Sequence, residues 1–126
     1  MNIDALKQQR FAFLHKFWEL TGGNQNKLIR IGEVAKPLNL NEESAKVIVQ
    51  YLHGEDLVDA TTHGFAVSTY FDVGLYIKHK GIKETEQALS KPDLETEHFP
   101  AKVVNYINIG SMNNSNISQG STNSNQ

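Results

Sequence analysis

The strongest constraint on the fold of this chain is a short helix at 32–37, a turn and a longer second helix at about 41–53. The first helix is expected to be brief, since Pro37 cannot donate the backbone hydrogen bond that continuation requires. The triplet Leu-Asn-Leu at 38–40 predicts a turn. Asn41 is a suitable N-cap for the second helix, and Gly54 is a suitable C′ residue at its end. Four apolar residues at helical spacing predict a buried face on this helix: Ala45, Ile48, Val49 and Leu52.

A long helix and a brief strand are predicted before this unit. Apolar residues recur at helical spacing over residues 2–20, which is typical of an amphipathic helix. Asn2 is a candidate N-cap, and the pair Gly22 and Gly23 is a stop signal. The stretch Leu-Ile-Arg-Ile at 28–31 predicts a short strand. The aromatic residues of the long helix are expected to pack in the core rather than to form a ligand site: Phe11, Phe13, Phe17 and Trp18.

A strand, a turn, a second strand and a helix are predicted after the two-helix unit. Residues 56–60, Asp-Leu-Val-Asp-Ala, predict the first strand, and His63-Gly64 is the candidate turn. β-branched and aromatic residues are then frequent over 65–79, which favours a second strand. Helical periodicity returns over 80–89. One side of that helix is predicted to consist of Ile82, Thr85 and Leu89.

The composition excludes several classes of protein. The chain has 126 residues, of which 39% are hydrophobic, with no cysteine and a net charge of −2. It therefore has no disulfide and no thiolate metal site. It also has no apolar run of the ~20 residues that a membrane helix needs, and its first residues lack the apolar core of a signal peptide. We expect a cytoplasmic protein that does not bind membranes.

The sequence has no pattern of catalytic or metal-binding residues. Its histidines lack the paired spacing that holds a metal ion, and there is no glycine-rich phosphate loop or serine nucleophile elbow. The adjacent carboxylates Glu42 and Glu43 belong to a helix start and are poor acid–base candidates. We therefore predict a non-enzyme with no cofactor, no catalytic residue and no metal site. The histidines are His15, His53, His63, His79 and His98.

Residues 30–60 together with 75–89 resemble the winged helix-turn-helix domains of bacterial regulators. Residues 77–86 are similar to the closing phrase of those domains, Ile-Thr-x-Lys-Gly-Ile-x-Glu-Ile-Glu, with Lys78 where threonine is usual. The resemblance covers about residues 1–90. It implies an α+β fold with three to four helices and a small antiparallel wing. Proline at position 37 departs from the pattern, because many relatives continue the second helix through that position.

The resemblance also implies DNA binding and a transcriptional or regulatory role, with residues 41–53 as the recognition helix. Charge argues against this role, because Lys46 is the one lysine of that helix and its two leading glutamates would repel phosphates. The alternative is an adaptor that docks another protein. Double-stranded DNA and another protein are thus both candidate partners. The residues expected to contact DNA are Ser44, Lys46, Val47, Gln50, Tyr51, Lys78, Lys80 and Lys83.

The last residues, 103–126, carry no charged side chain and are rich in Asn and Ser. Residues 105–114 align with 115–124 as an imperfect ten-residue repeat that matches at Ile, Gly, Ser and Asn. Each repeat predicts a short β rung with too few apolar residues to become ordered in one chain. The tail also resembles Asn/Ser-rich endings of the form Ser-x-Ile-x-Gln-Gly-Ser on otherwise different bacterial proteins.

We therefore expect a β-rich homo-oligomerisation tail, joined to the winged helix by a polar linker at 91–102. A flexible low-complexity tail is the alternative. The residues expected to form the assembly are Val104, Tyr106, Ile107, Ile109, Met112 and Ile117.

Overall fold

The structure is a computed structural model that describes residues 3–61, 67–91 and 93–99. These residues have an α+β fold, in agreement with the predicted class. Within them lie four α-helices, three β-strands and two short 3-10 helices. In chain order the elements are α1 Ile3–Thr21, β1 Ile29–Arg30, α2 Ile31–Ala35, a 3-10 helix Lys36–Leu38, α3 Glu42–Gly54, β2 Val58–Thr61, a 3-10 helix Tyr70–Asp72, β3 Gly74–Ile77 and α4 His79–Ser90.

The strands form one small antiparallel sheet in the order β1-β3-β2. Strand β3 lies in the middle, since Leu75 is opposite Ile29 of β1 on one side and Ala60 of β2 on the other. The sheet therefore joins the segment before α2 to the hairpin that follows α3. This order of helices and strands is compatible with a winged helix.

The junction between α2 and α3 follows the local chemistry of the sequence. Helix α2 ends at Ala35, and Pro37 lies in the first turn of the 3-10 helix that follows. Asn39 then takes a left-handed conformation, with φ of 59°, which turns the chain. The Asn41 side chain accepts a hydrogen bond of 2.8 Å from the backbone N–H of Ser44, as an N-cap does. The predicted short helix, turn and capped second helix are confirmed.

The predicted end of α3 is wrong. Gly54 belongs to the helix, and its backbone does not have a positive φ. The left-handed residue is Asp56, with φ of 65°, two positions later. Aspartate tolerates this conformation better than most residues with a Cβ atom. By contrast, α1 stops where predicted, because Gly22 and Gly23 both have positive φ.

The second strand of the hairpin is shorter than predicted. Strand β3 begins at Gly74, and the residues before it form a 3-10 helix rather than extended chain. Thr69 caps that helix by accepting from the N–H of Phe71, and the Asp72 carboxylate accepts from the N–H groups of Ser68 and Thr69. These local side-chain bonds compete with strand pairing, so the β-forming composition of the segment did not decide its conformation.

The hydrophobic core lies between the helices and the inner face of the sheet. Phe11, Phe13 and Phe17 of α1 are fully buried, and Trp18 packs against the core from its edge, so the predicted aromatic core is confirmed. The predicted apolar face of α3 is also buried. On the predicted side of α4, Thr85 is fully buried, and Ile82 and Leu89 are half-buried, as the periodicity predicts.

Residues 93–99, which the sequence assigns to a linker, pack on the helices. Phe99 is fully buried, and its ring meets that of Phe11 edge to face with 5.3 Å between centroids. His98 is buried beside it. This part of the predicted linker therefore extends the core that α1 begins.

Several predictions fall outside the described residues. They concern the N-cap at Asn2, the turn at His63-Gly64 and the whole tail at 103–126, including its assembly residues. Within the described ranges, no helix combines the length and apolar character needed to cross a membrane.

Candidate docking surface on helix α3

Helix α3 presents one face to solvent because its opposite face is in the core. Ala45, Ile48, Val49 and Leu52 anchor it, and the capped N-terminus fixes its start. The outward residues Lys46, Val47 and Gln50 are exposed in the structure. Val47 is exposed, with 47% of its surface accessible, although its side chain is apolar.

A groove runs between this exposed face and the segment that precedes β3. Its volume is about 590 Å³. Its wall opposite α3 is Tyr70. The lining residues are Glu42, Glu43, Lys46, Val47, Gln50 and Tyr70.

Glu42 joins the two walls of the groove. Its carboxylate accepts a hydrogen bond of 3.1 Å from the backbone N–H of Tyr70, which is 28 residues away in sequence. Burial raises the pKa of the Tyr70 phenol. The bond from Tyr70 to Glu42 therefore orders the segment 70–72 against the start of α3.

The charge of the groove is slightly negative. Its lining contains two glutamates and one lysine. Glu42 is engaged with Tyr70, but Glu43 has no such partner among the hydrogen bonds of the described residues and is exposed. The groove therefore presents an apolar side chain at Val47 and a negative charge at Glu43.

The residues predicted to contact DNA on α3 divide into two groups. Lys46, Val47 and Gln50 line the groove together. Ser44 is half-buried, and its backbone N–H serves the N-cap. Tyr51 turns toward α1, where the Arg10 guanidinium lies 3.8 Å from the centre of its ring. Tyr51 is therefore part of the packing behind α3 rather than of its outward face.

The predicted lysines beyond the hairpin lie at the other end of α3. The backbone N–H of Lys78 donates to the carbonyl of Leu57, and its ammonium pairs with the Asp56 carboxylate at 2.7 Å. The hydrogen bond that Lys78 donates to Asp56 raises the pKa of Lys78 and lowers the pKa of Asp56. Lys78 therefore belongs to an exposed ion pair. Lys80 and Lys83 are exposed on α4, and neither lines the groove.

Sequence reasoning missed Tyr70 as a groove residue. Thr69 and Asp72 form a capping box, Thr-x-x-Asp, which is a local signal for a helical turn within the β-rich stretch. Nothing local indicated that Glu42 would bond to Tyr70, because that contact depends on how the hairpin folds back on α3.

No group of three or more His, Asp or Glu side chains in the described parts of the chain is arranged to hold a metal ion. Comparisons of the chain with protein-family models, with curated proteins and with solved structures found no match.

Proposed function

We propose that this chain is a winged helix-turn-helix adaptor that docks another protein in the groove between α3 and Tyr70. The exposed Val47 in the lining of a mildly acidic groove carries the proposal. A partner that covers this apolar side chain removes it from water, which favours binding. The order of helices and the sheet order β1-β3-β2 support the winged-helix part of the proposal.

Electrostatics favours a protein partner over DNA. A protein that binds duplex DNA through phosphates places several Lys or Arg side chains on one surface. Here Lys46 is the cation in the groove lining, and Lys78 is paired with Asp56. Glu43 would face the phosphates directly.

DNA binding is the second candidate, and Gln50 favours it. Its amide is exposed on the outward face of α3, where a recognition helix would meet base edges. A glutamine in that position can make paired hydrogen bonds to adenine. In this case the protein would be a transcriptional or regulatory factor.

Two measurements on the full-length protein separate these functions. A photo-reactive p-benzoylphenylalanine replacing Val47 is expected to cross-link to a protein in the cells that produce this chain. The same residue replacing Glu86, which is exposed on α4, is the matched control and is expected to give no such adduct. Adding Glu43→Lys should abolish the adduct, because it reverses the charge of the groove.

The second measurement is a titration of a mixed-sequence DNA duplex at about 50 and 200 mM salt, by fluorescence anisotropy. If the chain is a protein adaptor, we expect no binding to the duplex with an affinity that falls steeply as the salt concentration rises. Affinity that drops more than tenfold between the two salt concentrations, together with the absence of a cross-linked protein, would replace the adaptor with the DNA-binding function.

We also propose that the tail at 103–126 makes the protein a homo-oligomer, because each of its two repeats has too few apolar residues to become ordered in one chain. Linked heads would gain avidity for a partner. Deleting residues 103–126 is expected to reduce the molar mass measured by light scattering to that of a monomer. The helical circular dichroism signal of the remaining chain should not change. Gln50→Ala is the control, and it should leave the mass as it is. A deletion variant with the same number of subunits as the full chain would rule out assembly through the tail.

A further inference from the structure

Residues 93–99 are held on the helices by hydrogen bonds as well as by burial of the Phe99 ring. We name this segment the strap. Its own turn is closed by two hydrogen bonds, from the N–H of Thr96 to the carbonyl of Phe99 at 2.8 Å and from the N–H of Phe99 to the Thr96 hydroxyl at 3.0 Å. The strap therefore has a defined conformation that presents His98 and Phe99 to the core.

Glu84 of α4 is the anchor of the strap. Only 5% of its surface is accessible, and its carboxylate accepts hydrogen bonds from the Thr96 hydroxyl and, at 2.9 Å, from the backbone N–H of His98. A buried carboxylate is strongly unfavourable unless donors surround it. Glu84 thus depends on the strap for its hydrogen bonds, and the strap depends on Glu84.

The strap also contacts the end of α3. The His98 Nδ1 atom lies 3.4 Å from the Glu55 carboxylate, and the His98 side chain is almost completely buried there. Glu55 caps the C-terminus of α3, and its N–H donates to the carbonyl of Tyr51. Burial, followed by the nearby charge of Glu55, raises the pKa of Tyr51.

We propose that the strap is coupled to α3, the helix that forms the candidate docking groove, so that release of the strap loosens the end of that helix. Release of the strap removes the His98 contact from Glu55 and leaves the Glu84 carboxylate without its donors. The C-terminal turn of α3 then loses part of its support. This coupling does not depend on whether the groove binds a protein or DNA.

Hydrogen–deuterium exchange on the full-length protein tests this proposal. In the unmodified chain, the N–H groups of Thr96, His98 and Phe99 are expected to be protected, because each has an acceptor. Both strap hydrogen bonds go to one oxygen of Glu84, and Glu84→Gln removes the negative charge, which leaves a neutral amide oxygen as a weaker acceptor. We expect exchange in the strap to accelerate at least tenfold. Exchange at Glu55, Asp56 and Leu57 should accelerate about threefold in the same variant.

Two further variants make the result specific. Glu86→Gln changes the same residue type on the exposed side of α4 and is expected to leave all these rates unchanged. Thr96→Val removes the hydroxyl while keeping the side-chain size, so it repeats the test if Glu84→Gln fails to fold. The N–H of Ile31, which donates to the carbonyl of Val73 just before β3, reports on global opening and should not change.

The coupling is disproved by any of three outcomes. One is a strap that exchanges freely in the unmodified protein. Another is faster strap exchange without any change at the end of α3. The third is a uniform acceleration that includes Ile31, which would mean that Glu84 stabilises the whole domain and does not link the strap to α3.

Discussion

Replacing Phe99 by alanine is expected to lower the free energy of unfolding by about 3–5 kcal/mol, the range for removing a buried phenylalanine ring. The ring is 1% exposed and packs edge to face on Phe11, so its removal leaves a cavity beside α1. Urea denaturation of the full-length variant, followed by circular dichroism, measures the change. If the loss is below about 1 kcal/mol, the strap does not contribute to the core in solution.

Leu94→Ala is the matched control for this prediction. Leu94 belongs to the same strap and is also a large apolar residue, but 58% of its surface is exposed. Its truncation is expected to change the free energy of unfolding by no more than about 0.5 kcal/mol. The difference between the two variants shows whether the strap stabilises the domain through burial of the Phe99 ring or through any of its large apolar side chains.

The packing of the strap on the helices could not be predicted from the sequence. Residues 91–102 contain two prolines and many charged residues, which is the usual composition of a linker. Burial of Phe99 depends on a carboxylate at Glu84 and on a turn at Thr96, which are brought together only by the fold. No local pattern around Phe99 reports those partners.

Elements set by local chemistry were predictable. The glycine pair after α1, the proline after α2 and the cap at Asn41 each act on neighbouring residues, and the structure confirms all three. The end of α3 was not predictable in the same way. Gly54 was the natural candidate for a left-handed residue, yet Asp56 takes that conformation, and its carboxylate pairs with Lys78 of the adjacent strand end.

One part of the candidate site could also be predicted, because it depends on a local sequence pattern. Helical periodicity identified the outward face of α3, and Lys46, Val47 and Gln50 line the groove together. Periodicity could not place Tyr51, which lies near the boundary between the buried and exposed faces and meets Arg10 of α1. It also could not indicate the opposite wall of the groove at Tyr70, because that wall belongs to a distant part of the chain.

Gly81→Ala is the second substitution with a large expected effect. Gly81 is buried near the start of α4, where a Cβ atom would lie 2.2 Å from the carbonyl oxygen of Leu57 and 3.1 Å from the side chain of Ile77. That oxygen is backbone and accepts the N–H of Lys78, so it cannot move without disturbing the hairpin. The close approach explains physically why this position of the closing phrase holds glycine.

We expect Gly81→Ala to lower the free energy of unfolding by about 2–3 kcal/mol, as overpacking of a tight site does, even though alanine favours a helix more than glycine. Gly54→Ala is the control, since Gly54 is also helical but no atom lies within 4 Å of its added Cβ. That variant should be stabilised by about 0.5–1 kcal/mol. Thermal and urea unfolding of both variants should therefore shift in opposite directions. Equal stabilisation of both would show that α4 does not pack against the start of the hairpin as closely as the Gly81 contact requires.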